Sequence, residues 1–405
     1  MTTVELRTTA PAVGGESVAR DDGGRVVFVG GALPGEAVVV ELDEERDRFA
    51  RGHVVDVLEP SPDRVAPPCP HLAEGCGGCD WQHVAVPRQR ALRREVVAEV
   101  LARAGGIVEP TVGSGPELPA ERLRTTLRGV ADHEGRFALR RRRSHEPVPI
   151  ASCLVAHPLV DEVIAALRAP AGTTLTVRVG ARSGERMVVA SPTAAGVIAP
   201  EGVVVVGDEE LRAGHRAWIH EEAAGRRWRI SAGSFFQASP EGAEALVASV
   251  GGLLAAHAPD DGRLVDLCCG VGLFAGALGD GRSVLGVERS ASSVADARTN
   301  LADRDARIVK VAMDRWRPAP ADVVVADPAR AGLGRRVVGA VAATGAELVV
   351  LVSCDPGALG RDARLLVDAG YEHVGSEVID LFGHASHVEV VSGFRTARRM
   401  GSDRP

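Results

Sequence analysis

Short runs of β-branched residues, separated by turns, dominate roughly the first sixty residues of the chain. Three of these runs are Arg25–Val29, Ala37–Glu41 and His53–Val57. Glycine and proline punctuate them, which is the pattern of short β-strands. Because a small open sheet would leave unpaired edges exposed, we predict that residues 1–62 close into a β-barrel.

A helix and then a strand-rich region are predicted for residues 63–230, which we expect to form a central α+β domain. Apolar residues recur at helical spacing from Pro87 to Ala104, with arginines covering the opposite side. The predicted buried stripe consists of Leu92, Val96, Val100 and Leu101. From Leu123 to Trp228 the pattern is typical of strands with a mainly polar surface.

The pattern changes after Ser231, where apolar strand-like runs alternate with helical stretches. Five such runs are Arg263–Cys269, Ser283–Val287, Arg307–Val311, Asp322–Ala326 and Glu347–Ser353. The alternation predicts a doubly wound, mostly parallel sheet over residues 231–405. Only a short loop separates the last two runs, Glu377–Phe382 and His387–Phe394, so the last strand should be antiparallel. The tail from Arg398 to Pro405 is expected to fray.

Composition narrows the class of protein. The chain has 405 residues, of which 45% are hydrophobic and 25% charged, so two or three domains of a soluble globular protein are expected. No apolar run approaches membrane-spanning length, and the N-terminus lacks the features of a signal peptide. We therefore expect a cytoplasmic protein, in which the seven cysteines are metal ligands, nucleophiles or core residues and not disulfides.

The balance of charge gives no general attraction for nucleic acid, because the net charge is −7. Lys310 is the only lysine, a bias typical of a GC-rich genome, so clusters of arginine must provide any contact with phosphates. Arg140–Arg143 is such a cluster. On a predicted strand, at least two of its side chains should face solvent and neutralise phosphates. A run that only solubilises the surface is the alternative.

A glycine turn follows the first strand of the predicted doubly wound sheet. Gly270 and Gly272 would let the backbone approach a ligand closely, and the following helix start offers free N–H groups. Glu288 ends the next strand, where a carboxylate can grip both hydroxyls of a ribose. The motif also fits nicotinamide dinucleotides, but Asp266, four residues before the first glycine, favours S-adenosylmethionine. A turn that serves packing alone is the bland alternative.

Three reactive side chains are predicted at the same edge of this sheet. Asp327 ends the fourth strand, where it could bind a base or the donor. Cys354 leaves the fifth strand just before a helix start, a place that lowers the pKa of a thiol. Glu389 begins the last strand, and His384 and His387 could orient it or contact phosphate. For each of these residues a structural role in a turn or in the core is the alternative.

A cluster of thiols lies between the predicted barrel and the first helix. Cys69, Cys76 and Cys79 are close in sequence, and Cys153 follows far downstream. Four thiolates suit zinc or an iron–sulfur cluster. The absence of a second Cys-x2-Cys pair weakens the case for a zinc ribbon.

Together these motifs resemble the RNA uracil-5-methyltransferase family over nearly the whole chain. Phe28-Val29 with Pro34-Gly35-Glu36 is similar to a stretch of the TRAM domain, an RNA-binding barrel. Cys69, Cys76, Cys79 and Cys153 look like the family's four ligands for a 4Fe–4S cluster. The segment Arg140–His145 resembles its arginine-rich segment, and Gly233–Gln237 resembles the element whose glutamine touches the methyl donor.

The resemblance implies a C-terminal Rossmann-like class I methyltransferase domain and a role for each site residue. The residues expected to bind the donor are Gln237, Asp266, Cys268, Gly270, Gly272, Glu288, Asp314 and Asp327. Cys354 falls on the nucleophile and Glu389 on the base. Three positions depart from the family's motifs: Cys268 replaces an aromatic residue, Ala329 a proline and Asp355 an asparagine.

The activity implied is transfer of a methyl group from S-adenosylmethionine to carbon 5 of a uracil in structured RNA. We expect 23S ribosomal RNA as the substrate, with the T-loop of transfer RNA as the alternative. No protein partner is expected, and a monomer is assumed. A nicotinamide-dependent reductase would leave Cys354, Glu389 and the arginine run without a role. A non-catalytic RNA-binding or assembly protein is the remaining alternative.

Overall fold

The first five strands form a closed barrel. The computed structural model describes residues 2–396, so the tail predicted to fray lies outside the described residues. The strands are β1 (Thr3–Pro11), β2 (Glu16–Arg20), β3 (Val26–Gly30), β4 (Ala37–Glu45) and β5 (Phe49–Glu59). They pair in the order β1-β2-β3-β5-β4 around a core that includes Val27, Val38 and Val40. The predicted barrel is confirmed.

The middle of the chain forms a six-stranded sheet covered by one helix. Helix α1 (Val86–Arg103) and strand β6 (Val112–Ser114) precede it. Its strands are β7 (Thr126–Ala131), β8 (Phe137–Arg140), β9 (Pro147–Pro149), β10 (Thr174–Val179), β11 (Arg186–Ser191) and β12 (Val203–Gly207). Helix α2 (Pro158–Ala166) buries Val160, Val163 and Ile164 against this sheet. The short helix α3 (Asp208–Arg212) and the hairpin of β13 (Trp218–Ala223) and β14 (Arg226–Ser231) follow.

The last part of the chain is a doubly wound α/β domain, as predicted. Its helices are α4 (Pro240–His257), α5 (Leu273–Leu278), α6 (Ala291–Asn300), α7 (Gly334–Ala342) and α8 (Pro356–Asp368). Its strands are β15 (Gly262–Leu267), β16 (Arg282–Glu288), β17 (Ala306–Lys310), β18 (Val323–Ala326), β19 (Leu348–Ser353), β20 (Tyr371–Val378) and β21 (Val390–Thr396). The sheet order is β17-β16-β15-β18-β19-β21-β20-β6.

The strands from β15 to β19 are parallel, and β21 runs antiparallel to both of its neighbours, which confirms the predicted last strand. The predicted bounds of the preceding strand are wrong, because β20 is Tyr371–Val378 and not 377–382. Residues 379–389 form a loop between β20 and β21, which we call the hairpin loop. Its apolar residues Ile379 and Leu381 are buried in the core, which explains why the pattern resembled a strand.

Two elements of the middle segment pack on the C-terminal sheet. Strand β6 pairs in parallel with β20, and Val97 and Leu101 of α1 share a core with Leu359 and Leu366 of α8. These two elements belong to the middle segment by sequence, but they pack against the C-terminal α/β domain. Within residues 2–396, no helix combines the length and the apolarity needed to cross a membrane.

Two expectations about arginines are corrected. Helix α1 was expected to turn its arginines outward, but Arg93 is only 2% exposed and forms an ion pair with Asp380. The run Arg140–Arg143 was expected on a strand, but β8 ends at Arg140. The next residues form a turn, in which the Ser144 N–H donates to the Arg141 carbonyl at 3.1 Å. We call residues 140–145 the arginine turn; Arg142 and Arg143 are exposed on it.

Candidate active site

The glycine turn after β15 contacts the carboxylate at the end of β16. Gly270 and Gly272 have φ values of 55° and 95°, a left-handed backbone that glycine adopts at little cost. The Gly270 N–H donates to Glu288 Oε2 at 3.1 Å, and the Ser290 N–H donates to Oε1 at 2.7 Å. The structure thereby brings together the glycine turn and the acid expected to bind the donor.

Asp266 lies beneath this turn and is fully buried. Its Oδ2 accepts a hydrogen bond from the Ala275 N–H at 3.0 Å, which holds the first turn of α5. Its Oδ1 is buried and has no partner in the part of the chain that the structure describes. Burial raises the pKa of Asp266 to about 8, because the charged form loses its hydration.

Gln237 and Asp327 meet on the other side of the glycine turn. The Gln237 side-chain amide donates to Asp327 Oδ2 at 3.2 Å. Burial raises the pKa of Asp327 to about 7, and this hydrogen bond acts in the opposite direction. The Phe235 carbonyl lies 4.0 Å from the position of a Cβ built on Gly270, so the segment that carries Gln237 borders the turn.

Cys268 and Asp314 complete the residues expected to bind the donor. Cys268 has a φ of 63°, and its Sγ lies 3.5 Å from the sulfur of Met313. Asp314 belongs to the same one-turn helix as Met313 and is exposed. Cys268 therefore lies beside the turn, whereas Asp314 lies at the surface next to it.

Cys354 lies between the end of β19 and the start of α8. Asp355 caps that helix, since its carboxylate accepts a hydrogen bond from the Ala358 N–H at 2.7 Å. Burial raises the pKa of the Cys354 thiol to about 11, the charges of Glu389 and Asp327 act in the same direction, and Arg330 opposes them. The expectation that the helix start lowers this pKa is wrong, because burial and two carboxylates outweigh it.

Glu389 directly precedes β21 and is only 5% exposed. Burial raises the pKa of its carboxyl group well above the usual range, and the charge of Asp327 adds to this effect. Like charges at short range disfavour ionisation of both groups. The ends of β18 and β19 and the start of β21 thus bring Asp327, Cys354 and Glu389 into one electrostatic environment.

Cys354 faces a small pocket of about 130 Å³. Arg330 and Pro356 line it from the C-terminal domain, and Ser386 and His387 line it from the hairpin loop. The turn between β1 and β2, residues 12–15, supplies Ala12, Val13 and Gly14, and the middle segment supplies Trp81 and Arg93. All three parts of the chain therefore line this pocket together with Cys354.

The other four cysteines singled out by sequence line a separate cavity of about 360 Å³: Cys69, Cys76, Cys79 and Cys153. Burial raises the pKa of three of these thiols, Cys76, Cys79 (to about 12) and Cys153. Among residues 2–396, no three His, Cys, Asp or Glu side chains form a group that could hold a metal ion.

The arginine turn packs on residues 69–79, which we call the cysteine loop. The Gly77 N–H donates to the Arg140 carbonyl at 3.0 Å, and the Arg142 N–H donates to the Gly75 carbonyl at 3.1 Å. Gly75 has a φ of 93°, and a Cβ there would lie 2.1 Å from an Arg141 guanidinium nitrogen. The left-handed φ favours glycine at this position, and a Cβ built on Gly77 would lie 2.8 Å from the Arg142 Cα, so small residues allow the two backbones to approach closely.

Sequence reasoning missed the contact between α1 and the hairpin loop. Arg93 donates hydrogen bonds to the carbonyls of Phe382 and Ala385, each at 2.7 Å, and of His387 at 3.1 Å. Its ion pair with Asp380 measures 3.0 Å. No local signal distinguishes Arg93 from the other arginines of α1, because its partners lie almost 300 residues away in the sequence.

Comparison with known proteins places the chain among RNA-modifying enzymes. Residues 2–55 match the model of the TRAM domain. An uncharacterised RNA methyltransferase of Streptomyces coelicolor is 39% identical, and the match covers 96% of this chain and 92% of the relative. The 23S rRNA (uracil(1939)-C(5))-methyltransferase RlmD of Chromohalobacter salexigens is 33% identical, with 93% of this chain and 86% of the relative covered.

The fold is shared with a solved structure. The tRNA (uracil-54, C5)-methyltransferase of Pyrococcus abyssi, in complex with S-adenosyl-L-homocysteine, superposes with a TM-score of 0.70 at 21% identity. The superposition covers 97% of this chain and 100% of that one. From the full-length relatives, the barrel and the site geometry, the chain belongs to the RNA uracil-5-methyltransferase family and is an S-adenosylmethionine-dependent RNA methyltransferase.

Proposed function

We propose that the protein forms 5-methyluridine in RNA through a transient bond between Cys354 and the target uracil. The observation that carries this proposal is the position of the Cys354 sulfur. Cys354 lines a pocket to which all three parts of the chain contribute. The negative charges of Asp327 and Glu389 are close enough to raise the pKa of its thiol. A cysteine buried only for packing would not border such a pocket.

We assign binding of the methyl donor to the edge of the sheet beside Cys354. The donor supplies an electrophilic methyl group on a positively charged sulfur. Glu288 and Gly270 flank the place expected for its ribose, and Gln237 and Asp327 flank the approach to Cys354. Cys268 and Gly272 border the same turn, Asp266 supports it from below, and exposed Asp314 lies next to it. A positive charge near Asp327 and Glu389 favours their ionised forms.

The chain's own groups then carry the reaction. The thiolate of Cys354 adds to carbon 6 of the uracil, which pushes electron density onto carbon 5 and makes that carbon nucleophilic. Carbon 5 takes the methyl group, and Glu389 removes the proton that carbon 5 still bears. The electron pair of that C–H bond re-forms the double bond, and the thiolate leaves from carbon 6.

The raised pKa of Cys354 means that its proton must leave before the addition step. Asp327 is the neighbouring carboxylate able to receive it once ionised, which leaves the Glu389 carboxylate free to take the carbon 5 proton later. The Arg330 guanidinium stabilises the thiolate that results. The target base must also leave its stack to reach the pocket, which costs a few kcal/mol.

We further propose a 4Fe–4S cluster bound by Cys69, Cys76, Cys79 and Cys153. A cavity of about 360 Å³ lined by all four thiols suits a group of several atoms better than one zinc ion. Bound as thiolates, they would hold the cluster against the arginine turn. Equal amounts of iron and acid-labile sulfide in anaerobically purified protein would support the cluster, whereas stoichiometric zinc without sulfide would refute it.

For the substrate we propose 23S ribosomal RNA, because RlmD relatives act on it by name and align along most of this chain. The arginine turn and the barrel would contact the RNA backbone. The protein would act as a monomer in the cytoplasm. The domains proposed for the chain are a barrel (1–62), a central domain (63–230) and a methyltransferase domain (231–405).

Two experiments test this function. First, 5-methyluridine is mapped in the 23S ribosomal RNA and transfer RNA of a strain lacking the gene. Loss from 23S ribosomal RNA supports the substrate proposed, loss from the T-loop of transfer RNA overturns that substrate, and loss from neither overturns the activity. Second, Cys354→Ala should bind the donor yet form no covalent adduct with RNA that contains 5-fluorouridine. Full methylation by that variant would refute the nucleophile.

A further inference from the structure

The two residues that follow the cysteine loop are hydrogen-bonded directly to the hairpin loop that ends at Glu389. Asp80 follows Cys79 in the sequence. Its Oδ1 accepts a hydrogen bond from the Ser386 N–H at 2.7 Å, and its Oδ2 accepts one from the Ser386 hydroxyl at 2.6 Å. The next residue, Trp81, donates its backbone N–H to the His384 carbonyl at 2.9 Å. Two successive residues after a cysteine of the cavity thus hold the hairpin loop.

The barrel closes over this contact. Gly15 has a φ of 82°, and a Cβ built on it would lie 2.7 Å from both Asp80 Oδ2 and the Ser386 Cβ. The Trp81 indole N–H donates to the Gly15 carbonyl at 3.1 Å. Because Gly15 lies against these side chains and both residues are partly buried, their hydrogen bonds compete less with water than at an open surface.

Helix α1 holds the remainder of the hairpin loop from the same side. The Gln89 side chain accepts a hydrogen bond from the His384 N–H at 3.0 Å and donates one to the Trp81 carbonyl at 3.1 Å. The Arg93 guanidinium lies 5.5 Å from the centre of the Trp81 ring. The backbone of residues 384–387 is therefore positioned by Asp80, Trp81 and α1, and Glu389 lies only three residues beyond Ser386.

We propose that Asp80 is a positioning residue through which the cysteine loop fixes the hairpin loop, and with it Glu389, against Cys354. A group bound in the cysteine cavity would fix the position of Cys79. Because Asp80 is the next residue in the chain, its position would be fixed as well. The two hydrogen bonds from Ser386 to Asp80 would then fix the hairpin loop. Occupation of the cavity thereby sets the position of the catalytic carboxylate. This inference rests on the proposed function for its kinetic consequence, but its structural part stands independently.

The position of Glu389 matters most in one step. Addition of the thiolate and methyl transfer come first, and removal of the carbon 5 proton comes afterwards. A misplaced carboxylate therefore slows release of the methylated RNA, and a displacement of about 1 Å can cost on the order of 100-fold. A cysteine loop that only stabilised the fold would lower the amount of active protein without changing which intermediate accumulates.

The test compares Asp80→Ala with Glu74→Ala. Glu74 lies on the same cysteine loop, is exposed, and contacts His71 of that loop at 2.9 Å. We expect Asp80→Ala to keep its affinity for the donor, its KM for RNA and its adduct with 5-fluorouridine RNA. With ordinary RNA it should accumulate a covalent adduct that carries the transferred methyl group, with kcat reduced by 10- to 100-fold. Glu74→Ala should behave like the unaltered protein.

Two milder variants guard against simple misfolding. Ser386→Ala removes the hydroxyl and keeps the backbone N–H, and Asp80→Asn keeps the size of the side chain. Both should accumulate the same adduct to a smaller extent, and the effect of Asp80→Ala with Ser386→Ala should be less than additive. Equal loss in kcat and adduct formation, with no accumulated intermediate in any variant, overturns the proposal.

Hydrogen exchange of residues 380–389 separates this inference from the proposed function. Removal of bound metal from the purified protein with a chelator should speed exchange there in the unaltered protein and in Glu74→Ala. In Asp80→Ala exchange should already be fast and should change little on chelation. If exchange responds in this way but no methylated adduct forms, the contact stands and the proposed function fails. If exchange is the same in all three proteins, the inference itself is refuted.

Discussion

Burial contributes most to the raised pKa of the Cys354 thiol, and two carboxylates and one guanidinium modify it further. Burial, Glu389 and Asp327 raise its pKa to about 11, and Arg330 opposes them. In the protein without ligands the thiol is therefore protonated at neutral pH. A thiol that stays protonated reacts less with electrophiles, since the thiolate is the reactive form.

We predict that adduct formation with 5-fluorouridine RNA accelerates as pH rises, by about tenfold per pH unit below the thiol pKa. The rate of adduct formation rises with pH because only the thiolate form of Cys354 adds to the pyrimidine ring. Arg330→Ala removes a positive charge that lowers this pKa, so its profile should move to higher pH and its rate at pH 7.5 should fall. Arg330→Lys should keep most of the rate. Single-turnover rates against pH check this, and identical profiles for Arg330→Ala and the unaltered protein would contradict it.

Asp266 makes the folded protein sensitive to pH in the opposite way from most carboxylates. Its pKa in the folded protein is raised to about 8, far above the value of an unfolded chain. The folded state therefore holds a proton that the unfolded state releases. Its contribution to stability is complete below about pH 4 and is lost as pH rises through about 8.

Replacement of Asp266 by Asn should remove the loss of stability that occurs as the pH rises. Between pH 5 and pH 8.5 the free energy of unfolding of Asp266→Asn should improve relative to the unaltered protein by more than about 1 kcal/mol. Asp260→Asn, at an exposed position just before β15, serves as the control and should show no such trend. Urea unfolding of both variants across this pH range measures the difference. A constant difference across the range would show that Asp266 is ionised in the folded state.

At the scale of elements, α1 joins two regions that are distant in sequence. One face packs on α8, and Arg93 holds the hairpin loop through three carbonyls and Asp380. A guanidinium can satisfy several acceptors at once because it presents five donors in a fixed plane. The helix thus contributes to the active site without supplying a reacting group.

We expect Arg93→Ala to destabilise the protein by about 3–5 kcal/mol, because it leaves buried acceptors and part of the Asp380 charge without a partner. Arg94→Ala is the matched control on the next position of α1. Arg94 is only partly buried and contacts Ser114 at 2.5 Å, so its loss should change stability by about 0.5 kcal/mol or less. Chemical denaturation compares the two, and similar effects would show that Arg93 is not buried as described.

At the scale of the whole molecule, the pocket in front of Cys354 exists only because three parts of the chain meet there. The barrel contributes residues 12–14, and Val13 is 49% exposed at this place. An exposed apolar side chain beside the proposed nucleophile is suited to contact an unstacked base or its neighbours. The barrel would then help to shape the target site as well as contact the RNA backbone.

We predict that Val13→Asp raises the KM for RNA about tenfold or more, because it places a negative charge where RNA approaches. Its affinity for S-adenosylmethionine should not change. Val55→Asp adds the same charge to another barrel residue of equal exposure, 49%, on β5. Steady-state kinetics and donor titrations measure both. Equal increases in KM for the two variants would indicate a general charge effect and not a contact at the pocket.

Much of the fold could be predicted because its elements carry local signals. The β-branched runs, the helix at Pro87–Ala104 and the alternation after Ser231 follow from the periods of strands and helices. The antiparallel last strand follows from the length of a connection. The strand predicted at 377–382 was misplaced because buried loop residues such as Ile379 and Leu381 show the same apolar pattern as a strand.

The sequence by itself determined the N-terminal barrel, the doubly wound sheet that ends the chain and the glycine turn within it, since each rests on neighbouring residues. Only the tertiary structure decided the raised pKa of Cys354, the burial of Arg93 and the contact of Asp80 with Ser386. These properties depend on burial and on charges brought together from distant segments. No local pattern encodes such distances, because they arise only when the barrel, the cysteine loop and the sheet pack against one another.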